Sequence, residues 1–142
     1  MTEPDLRWSL PPSLEEIEAM AMGALASLPE RLRLIVGDVV MRVEEFPDED
    51  TEREMELETP FDLMGLYRGV SIDRQSSGDL PRIPDMIFLY RRPLLDYWCE
   101  TGEDLPHLVR HVMIHEIGHH FGFSDADMQA LEDEAGENDA AD

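Results

Sequence analysis

Lysine is absent from this chain of 142 residues: all 11 basic side chains are arginines, set against 33 aspartates and glutamates. The formal net charge is therefore −22. Such a charge repels the phosphates of nucleic acids and the headgroups of anionic membranes, so we expect neither as a partner. A well-solvated acidic surface is the simplest interpretation, and a basic partner is the alternative.

Cysteine and long apolar runs are also scarce. The single cysteine, Cys99, excludes an intrachain disulfide, and we expect it to be a small buried hydrophobic side chain. No apolar run is long enough to span a bilayer. The N-terminus lacks the basic and apolar segments of a secretory signal, which favours a cytoplasmic location. The length predicts one domain over residues 1–142.

Hydrophobic periodicity and capping signals predict helices alternating with a few strands. The predicted helices span 13–27, 93–98, 105–121 and 125–131, and the predicted strands span 38–44, 61–72 and 86–90. The last strand is apolar on both faces, which is typical of a central strand. We expect a surface loop with one helical turn at 44–58, a short turn at 30–35, a loop at 76–78 and a disordered acidic tail at 132–142.

The helix over 105–121 carries two different rows of side chains. Asp104 is a suitable N-cap and Gly122 a suitable left-handed terminator. Val109, Met113, Ile117 and Phe121 form an apolar row at i, i+4 spacing, and His107, His111, His115 and His119 form a second row on roughly the opposite side. One side of the helix can therefore pack on a sheet while the other presents imidazoles.

The segment HEIGHHFGFSD at 115–125 predicts a zinc site. His115 and His119 lie one helical turn apart, so both imidazoles can bind one ion. A turn at Gly122 would bring Asp125 back as the third ligand. Asp127 competes with Asp125 for that place, and Glu132 and Glu134 are further alternatives.

Glu116 follows the first ligand and can flank the metal without binding it. We predict that it is the general base that takes a proton from zinc-activated water and passes it to the leaving amine. His111 is followed by Val112, so the pair His111–His115 has no accompanying base. We therefore expect His107 and His111 to face solvent or to support a ligand, and His120 to be a hydrogen-bonded core residue.

HEIGHHFGFSD resembles the metzincin signature HExxHxxGxxH/D, with aspartate in the third place as in the snapalysins. Together with FDLMGLYRGVSI and MIFLYRRPLL, it resembles more closely a family of short bacterial zincin-like metallopeptidases. The resemblance implies a compact α+β domain in which a small mixed sheet packs on the N-terminal helix and a central active-site helix. It implies zinc on His115, His119 and Asp125, with Glu116 as the base. Met128 matches the methionine beneath the metzincin metal less well than it matches a core residue.

Two functions remain open from the sequence. The first is a zinc peptidase that binds peptides or unfolded proteins along the edge of the strand at 61–72, with Tyr67 or Tyr90 as the oxyanion donor. The second is a catalytically silent zinc-binding module that recognises a partner or senses metal. Glu116 favours the peptidase, because a purely structural zinc site has four protein ligands and needs no base. An acidic adaptor with an accidental motif is a third alternative.

Overall fold

The computed structural model describes residues 10–69 and 84–140, with side chains described as far as Gly136. It contains six helices and a three-stranded sheet within those ranges. The helices are α1 (Leu14–Ser27), α2 (Glu30–Val36), α3 (Glu49–Glu54), α4 (Arg91–Thr101), α5 (Leu105–Phe121) and α6 (Asp125–Ala140), and the strands are β1 (Val40–Glu44), β2 (Gly65–Arg68) and β3 (Met86–Tyr90). The predicted loop at 76–78 and the end of the strand predicted over 61–72 lie outside the described residues.

Helix α1 begins where its capping box predicts. The Ser13 side chain accepts a hydrogen bond from the Glu16 backbone N–H, and the Glu16 carboxylate accepts one from the Ser13 N–H. Both interactions satisfy N–H groups that have no partner within the helix. Ile17, Ala21 and Ala24 then form its buried stripe, which places α1 against α5 and β1.

The sheet has the strand order β1-β3-β2. β3 is central, as predicted, and pairs parallel with β1 and antiparallel with β2. β2 is therefore an edge strand of the described sheet. Ile87 and Leu89 of β3 are fully buried on the face that packs toward the helices, whereas the rings of Phe88 and Tyr90 stack on the other face. The mixed sheet confirms the predicted α+β class.

Helix α5 is the centre of the fold and has the predicted bounds. The Asp104 carboxylate accepts a hydrogen bond from the His107 N–H, and Gly122 ends the helix at a φ of 76°. Its buried residues belong to two apolar clusters, one shared with α1 and the other with α2 and α6. The helix is therefore fixed on several sides, which gives the side chains on its remaining side a rigid support.

Two sequence predictions need correction. The turn at 30–35 is the two-turn helix α2, whose Leu32 and Val36 are buried. Cys99 is exposed on α4, because the buried side of that helix is formed by Pro93, Leu94 and Leu95. The helical turn predicted within the acidic stretch at 44–58 is confirmed as α3, in which the carboxylate of Asp48 caps Thr51.

The C-terminal segment also differs from its prediction. A disordered tail is expected from residue 132, but α6 continues to Ala140. Its residues Met128, Leu131 and Ala135 are 1%, 4% and 0% exposed, respectively. Their spacing of three and four residues gives the helix one apolar stripe, which anchors it to the core despite its acidic composition. No helix within the described ranges combines the length and apolar character needed to cross a membrane.

Candidate metal centre

The histidine side of α5 brings His115 and His119 together. Their ring centroids lie 6.0 Å apart, with the ring planes at 84°. Two imidazoles that bind one zinc ion at 2.0–2.1 Å with a tetrahedral angle have centroids roughly 5 Å apart. The observed centroid distance is longer than that value, and among the described residues the ligand atoms of His115, His119 and Asp125 do not all lie within 4.8 Å of one another. His115 is partly buried and His119 is exposed, so the site faces solvent.

The turn after α5 leads directly into α6. Beyond Gly122, the Phe123 N–H donates to the Gly118 carbonyl at 2.8 Å. Ser124 then caps α6 through a reciprocal pair of hydrogen bonds with Asp127, of 3.2 and 3.1 Å. Asp127 is thus engaged in a helix cap. Asp125 is the first residue of α6 and is exposed, which leaves its carboxylate available to bind a ligand.

Glu116 is partly buried beside the histidines. Burial raises the pKa of its carboxyl group above the usual value, because the charged form loses solvation, and the nearby charge of His119 opposes the shift. Because its pKa is raised, this carboxyl group is a stronger base than an ordinary glutamate, which suits a group that accepts a proton and releases it again.

Burial lowers the pKa of His115, and the neighbouring His111 and His119 shift it in the same direction. The negative charges of Glu132 and Asp125 oppose these effects. The net result favours the neutral imidazole, which is the form that binds a metal ion. The pairing of imidazoles with carboxylates along this side of α5 therefore has the chemistry of a zinc site.

The structure also forms a cluster that the sequence prediction did not favour. The Nδ1 atom of His111 hydrogen-bonds to Glu132 Oε1, and Glu132 Oε2 lies 3.7 Å from His115 Nε2. One ligand atom from each of these three residues lies within 4.8 Å of the other two. His111, which we expect from the sequence to face solvent or to support a ligand, and Glu132, a further alternative as third ligand, therefore lie with His115 in a group that could hold a metal ion.

The course of α6 explains this cluster. The helix runs back along α5: Met128 lies against Gly118, Glu132 reaches His111, and Gly136 lies near Arg110. Glu132 follows Asp125 by seven residues, which is two helical turns, so both carboxylates lie on nearly the same side of α6. That spacing is the sequence signal that Glu132 can reach the histidines. It holds only if residues from 132 onward are helical, whereas their acidic composition predicts a disordered tail.

Met128 lies directly under the histidine-bearing segment. It is 1% exposed, and a methyl group added at Gly118 would lie 2.7 Å from its Cγ atom. Gly118 stands between His115 and His119 in sequence, so the missing side chain allows α6 to approach the helix closely at this point. Met128 is therefore a core residue, as predicted, and one that packs beneath the site.

His120 differs from its prediction as a core residue. It is exposed, and its ring stacks on Tyr67 of β2 at a centroid distance of 4.3 Å. The Tyr67 hydroxyl donates a hydrogen bond of 2.6 Å to Asp85. Burial, reinforced by this hydrogen bond, raises the pKa of Tyr67. His120 thus belongs to the contact between α5 and the edge strand.

The other tyrosine considered as an oxyanion donor lies on the far side of the sheet. Tyr90 is 2% exposed, and its ring stacks with Phe88 on the face of the sheet opposite α5, where its side chain hydrogen-bonds to Thr51 of α3. Burial, reinforced by the charge of Glu44, raises the pKa of Tyr90 to about 12. Of the two tyrosines, Tyr67 is the one whose ring lies on the α5 side of the sheet.

A mixed sheet with an antiparallel edge strand, beside a helix that carries HExxH and ends at a glycine turn, defines a zincin-like protein. The family model described as zincin-like metallopeptidase matches residues 36–135. The chain belongs to this family. The comparison with curated proteins gives no match.

Proposed function

We propose that this protein is a zinc-dependent peptidase in which His115, His119 and Asp125 bind the metal and Glu116 is the general base. The observation that carries the proposal is the arrangement around α5. Two imidazoles stand one turn apart with their centroids 6.0 Å apart, and a partly buried carboxyl group of raised pKa lies beside them. Two histidines and one carboxylate form a typical catalytic zinc set and leave a position open.

Asp125 is favoured over Asp127 as the third ligand because Asp127 is engaged with Ser124 in the cap of α6. The negative charge of Asp125, by contrast, acts on His115 and opposes the lowering of its pKa. A carboxylate at the first position of a helix also interacts favourably with the positive end of the helix dipole.

A bound zinc ion would supply the positive charge that lowers the pKa of water and polarises a peptide carbonyl. Glu116 then takes the proton from the attacking water and delivers it to the amine nitrogen as the carbon–nitrogen bond breaks. The raised pKa of Glu116 suits both transfers, since the group gains and releases the same proton.

We further propose that the substrate is an extended peptide or unfolded protein segment, which pairs with the edge strand β2. This strand contacts α5 closely: Gly65 faces Val112, and Tyr67 stacks on His120. A peptide added along β2 by backbone hydrogen bonds would run beside the histidine side of the helix. The absence of a Cβ at Gly65 keeps strand and helix in contact.

The test is a comparison of Glu116→Gln with Glu18→Gln, which alters an exposed glutamate of α1. We expect both variants to bind zinc near one ion per chain. Cleavage of a peptide library should fall by about 10²- to 10⁴-fold in Glu116→Gln only, because general acid–base catalysis contributes that much. Equal cleavage by the two variants would contradict the assigned role of Glu116.

The second candidate is a zinc-binding module without catalysis. It is supported by the cluster of His111, His115 and Glu132, which can hold a metal and in which the residue after the first histidine is Val112 and not a carboxylate. It predicts that the wild type binds zinc and cleaves no member of the library. The peptidase proposal predicts both binding and cleavage, so one preparation distinguishes the two.

A further inference from the structure

The interface between α5 and α6 carries the same ligand pattern twice. His119, His115 and His111 follow one another at intervals of one turn along α5, and Asp125 and Glu132 lie two turns apart on the facing side of α6. The structure shows the contact of Glu132 with His111 and His115; the two-turn spacing places Asp125 near the next histidine pair along α5, His115 and His119. The first set is the proposed catalytic one, and the second consists of His111, His115 and Glu132.

The second set contains a carboxylate that is almost fully buried. The Glu132 side chain is 10% exposed, whereas those of His111 and His115 are 44% and 31% exposed. A buried carboxylate requires compensating positive charge or hydrogen bonds, and both of its oxygens here are directed toward imidazoles. A metal ion at their centre would supply that compensation.

The surroundings also allow an ion to enter. A cavity of about 630 Å³ lies along the second set, and its lining includes His107, Arg110, His111 and Glu132. Oxygen and imidazole nitrogen donors suit divalent transition metals such as zinc. The open side next to His111 leaves room for water molecules to complete the coordination of the ion.

We propose that His111, His115 and Glu132 form a second metal position, which competes with the catalytic position for His115. A neutral imidazole has one lone pair available to a metal, so His115 serves one position at a time unless it loses its second proton as well. The inference rests on the proposed function only for the identity of the first position.

Metal in the second position is catalytically silent. The residue after His111 is Val112, which is buried and has no proton to exchange, so this position lacks the counterpart of Glu116. An ion held there also withdraws His115 from the catalytic set. The second position therefore retains zinc in an inactive arrangement and lowers the fraction of chains that are competent for hydrolysis.

The experiment measures Co²⁺ and Zn²⁺ binding to the metal-free full chain, by absorbance and by competition with a chromophoric chelator. In His119→Ala, which disables the catalytic set, we expect one ion per chain to remain bound. Adding Glu132→Gln should weaken that remaining binding at least about tenfold, as expected when a carboxylate ligand is lost. The matched control adds Asp133→Asn, an exposed neighbour, and should change it less than about twofold.

A parallel series in Asp125→Asn disables the catalytic set through a different ligand and should give the same order of affinities. The proposal is overturned if Glu132→Gln weakens metal binding no more than Asp133→Asn in both series, or if the wild type binds two ions per chain. A different outcome would contradict the proposed function. If His119→Ala and Asp125→Asn both bind metal as tightly as the wild type, the catalytic set does not hold the ion, and the second position remains possible.

Discussion

The two sides of α5 differ in what they contribute to the protein. On one side, Val109, Met113 and Ile117 are each 0% exposed and join the two apolar clusters of the domain. On the other, His111, His115 and His119 remain partly or fully accessible and face carboxylates. The same helix thus carries core residues of the fold on one side and the candidate metal ligands on the other.

This difference shows how a small domain can keep a reactive surface rigid. Ligand side chains bind a metal well when their backbone is already fixed, because little conformational entropy is then lost on binding. Here the apolar side fixes the backbone, so the histidines need no further support from a large second domain. Substitutions on the two sides should therefore separate stability from metal binding.

The largest effect on stability is expected from the apolar side. Ile117→Ala removes a fully buried side chain from the cluster between α2, β3 and α6, and should lower the free energy of unfolding by about 2–5 kcal/mol. His107→Ala, on the opposite and exposed side, should change it by less than about 0.5 kcal/mol. Urea unfolding of the metal-free protein measures both. Similar losses for the two variants would refute the division between the sides.

A smaller effect is expected where the two sides meet, at Gly118. Gly118→Ala places a methyl group against Met128, and such overpacking costs about 1–3 kcal/mol. Gly23→Ala is the matched control, because it is also a helical glycine but nothing lies within 4 Å of its added methyl group. It should stabilise the protein by about 0.5–1 kcal/mol, since alanine favours helix more than glycine. If both variants change the free energy of unfolding in the same direction, the contact with Met128 does not account for the effect of Gly118→Ala.

Local sequence signals account for the elements of the site. The bounds of α5 follow from Asp104 and Gly122, and the central position of β3 follows from its apolar character on both faces. These features depend on a few neighbouring residues, whose capping and burial preferences are the same in any fold. The histidine row of α5 is readable for the same reason, because i, i+4 spacing fixes which side chains share a side.

Features that depend on the packing of distant elements were not predictable. The contact between Glu132 and His111 requires the angle at which α6 returns along α5, and that angle depends on Gly118 and Met128 as well as on the turn at Gly122. The acidic composition of this segment predicts disorder. Its burial depends instead on three apolar residues spaced along it, which composition does not reveal. The i, i+4 histidines are therefore readable from the sequence, whereas the approach of Glu132 to His111 is not.

The smallest expected effect concerns the pH dependence of stability on the histidine side. Burial raises the pKa of Glu116 in the folded protein above its usual value of 4.5. As the pH rises through this interval, the unfolded chain releases the proton before the folded protein does, so the folded protein loses stability. The stability that Glu116 contributes is fully present below the pKa of the group in the unfolded chain. It is lost as the pH rises through the pKa of the group in the folded protein.

Glu116→Gln removes this dependence, because glutamine does not titrate. In the metal-free protein, the unfolding free energy of the wild type minus that of Glu116→Gln should therefore decrease as the pH rises above the usual pKa of the group, 4.5. Other titrating groups are present in both proteins and largely cancel in this difference. Glu18→Gln reports the generic effect of losing an exposed carboxylate. A difference that increases with pH would mean that the histidines stabilise the Glu116 anion more than burial destabilises it, and the carboxylate would then be a weaker base than the proposed mechanism requires.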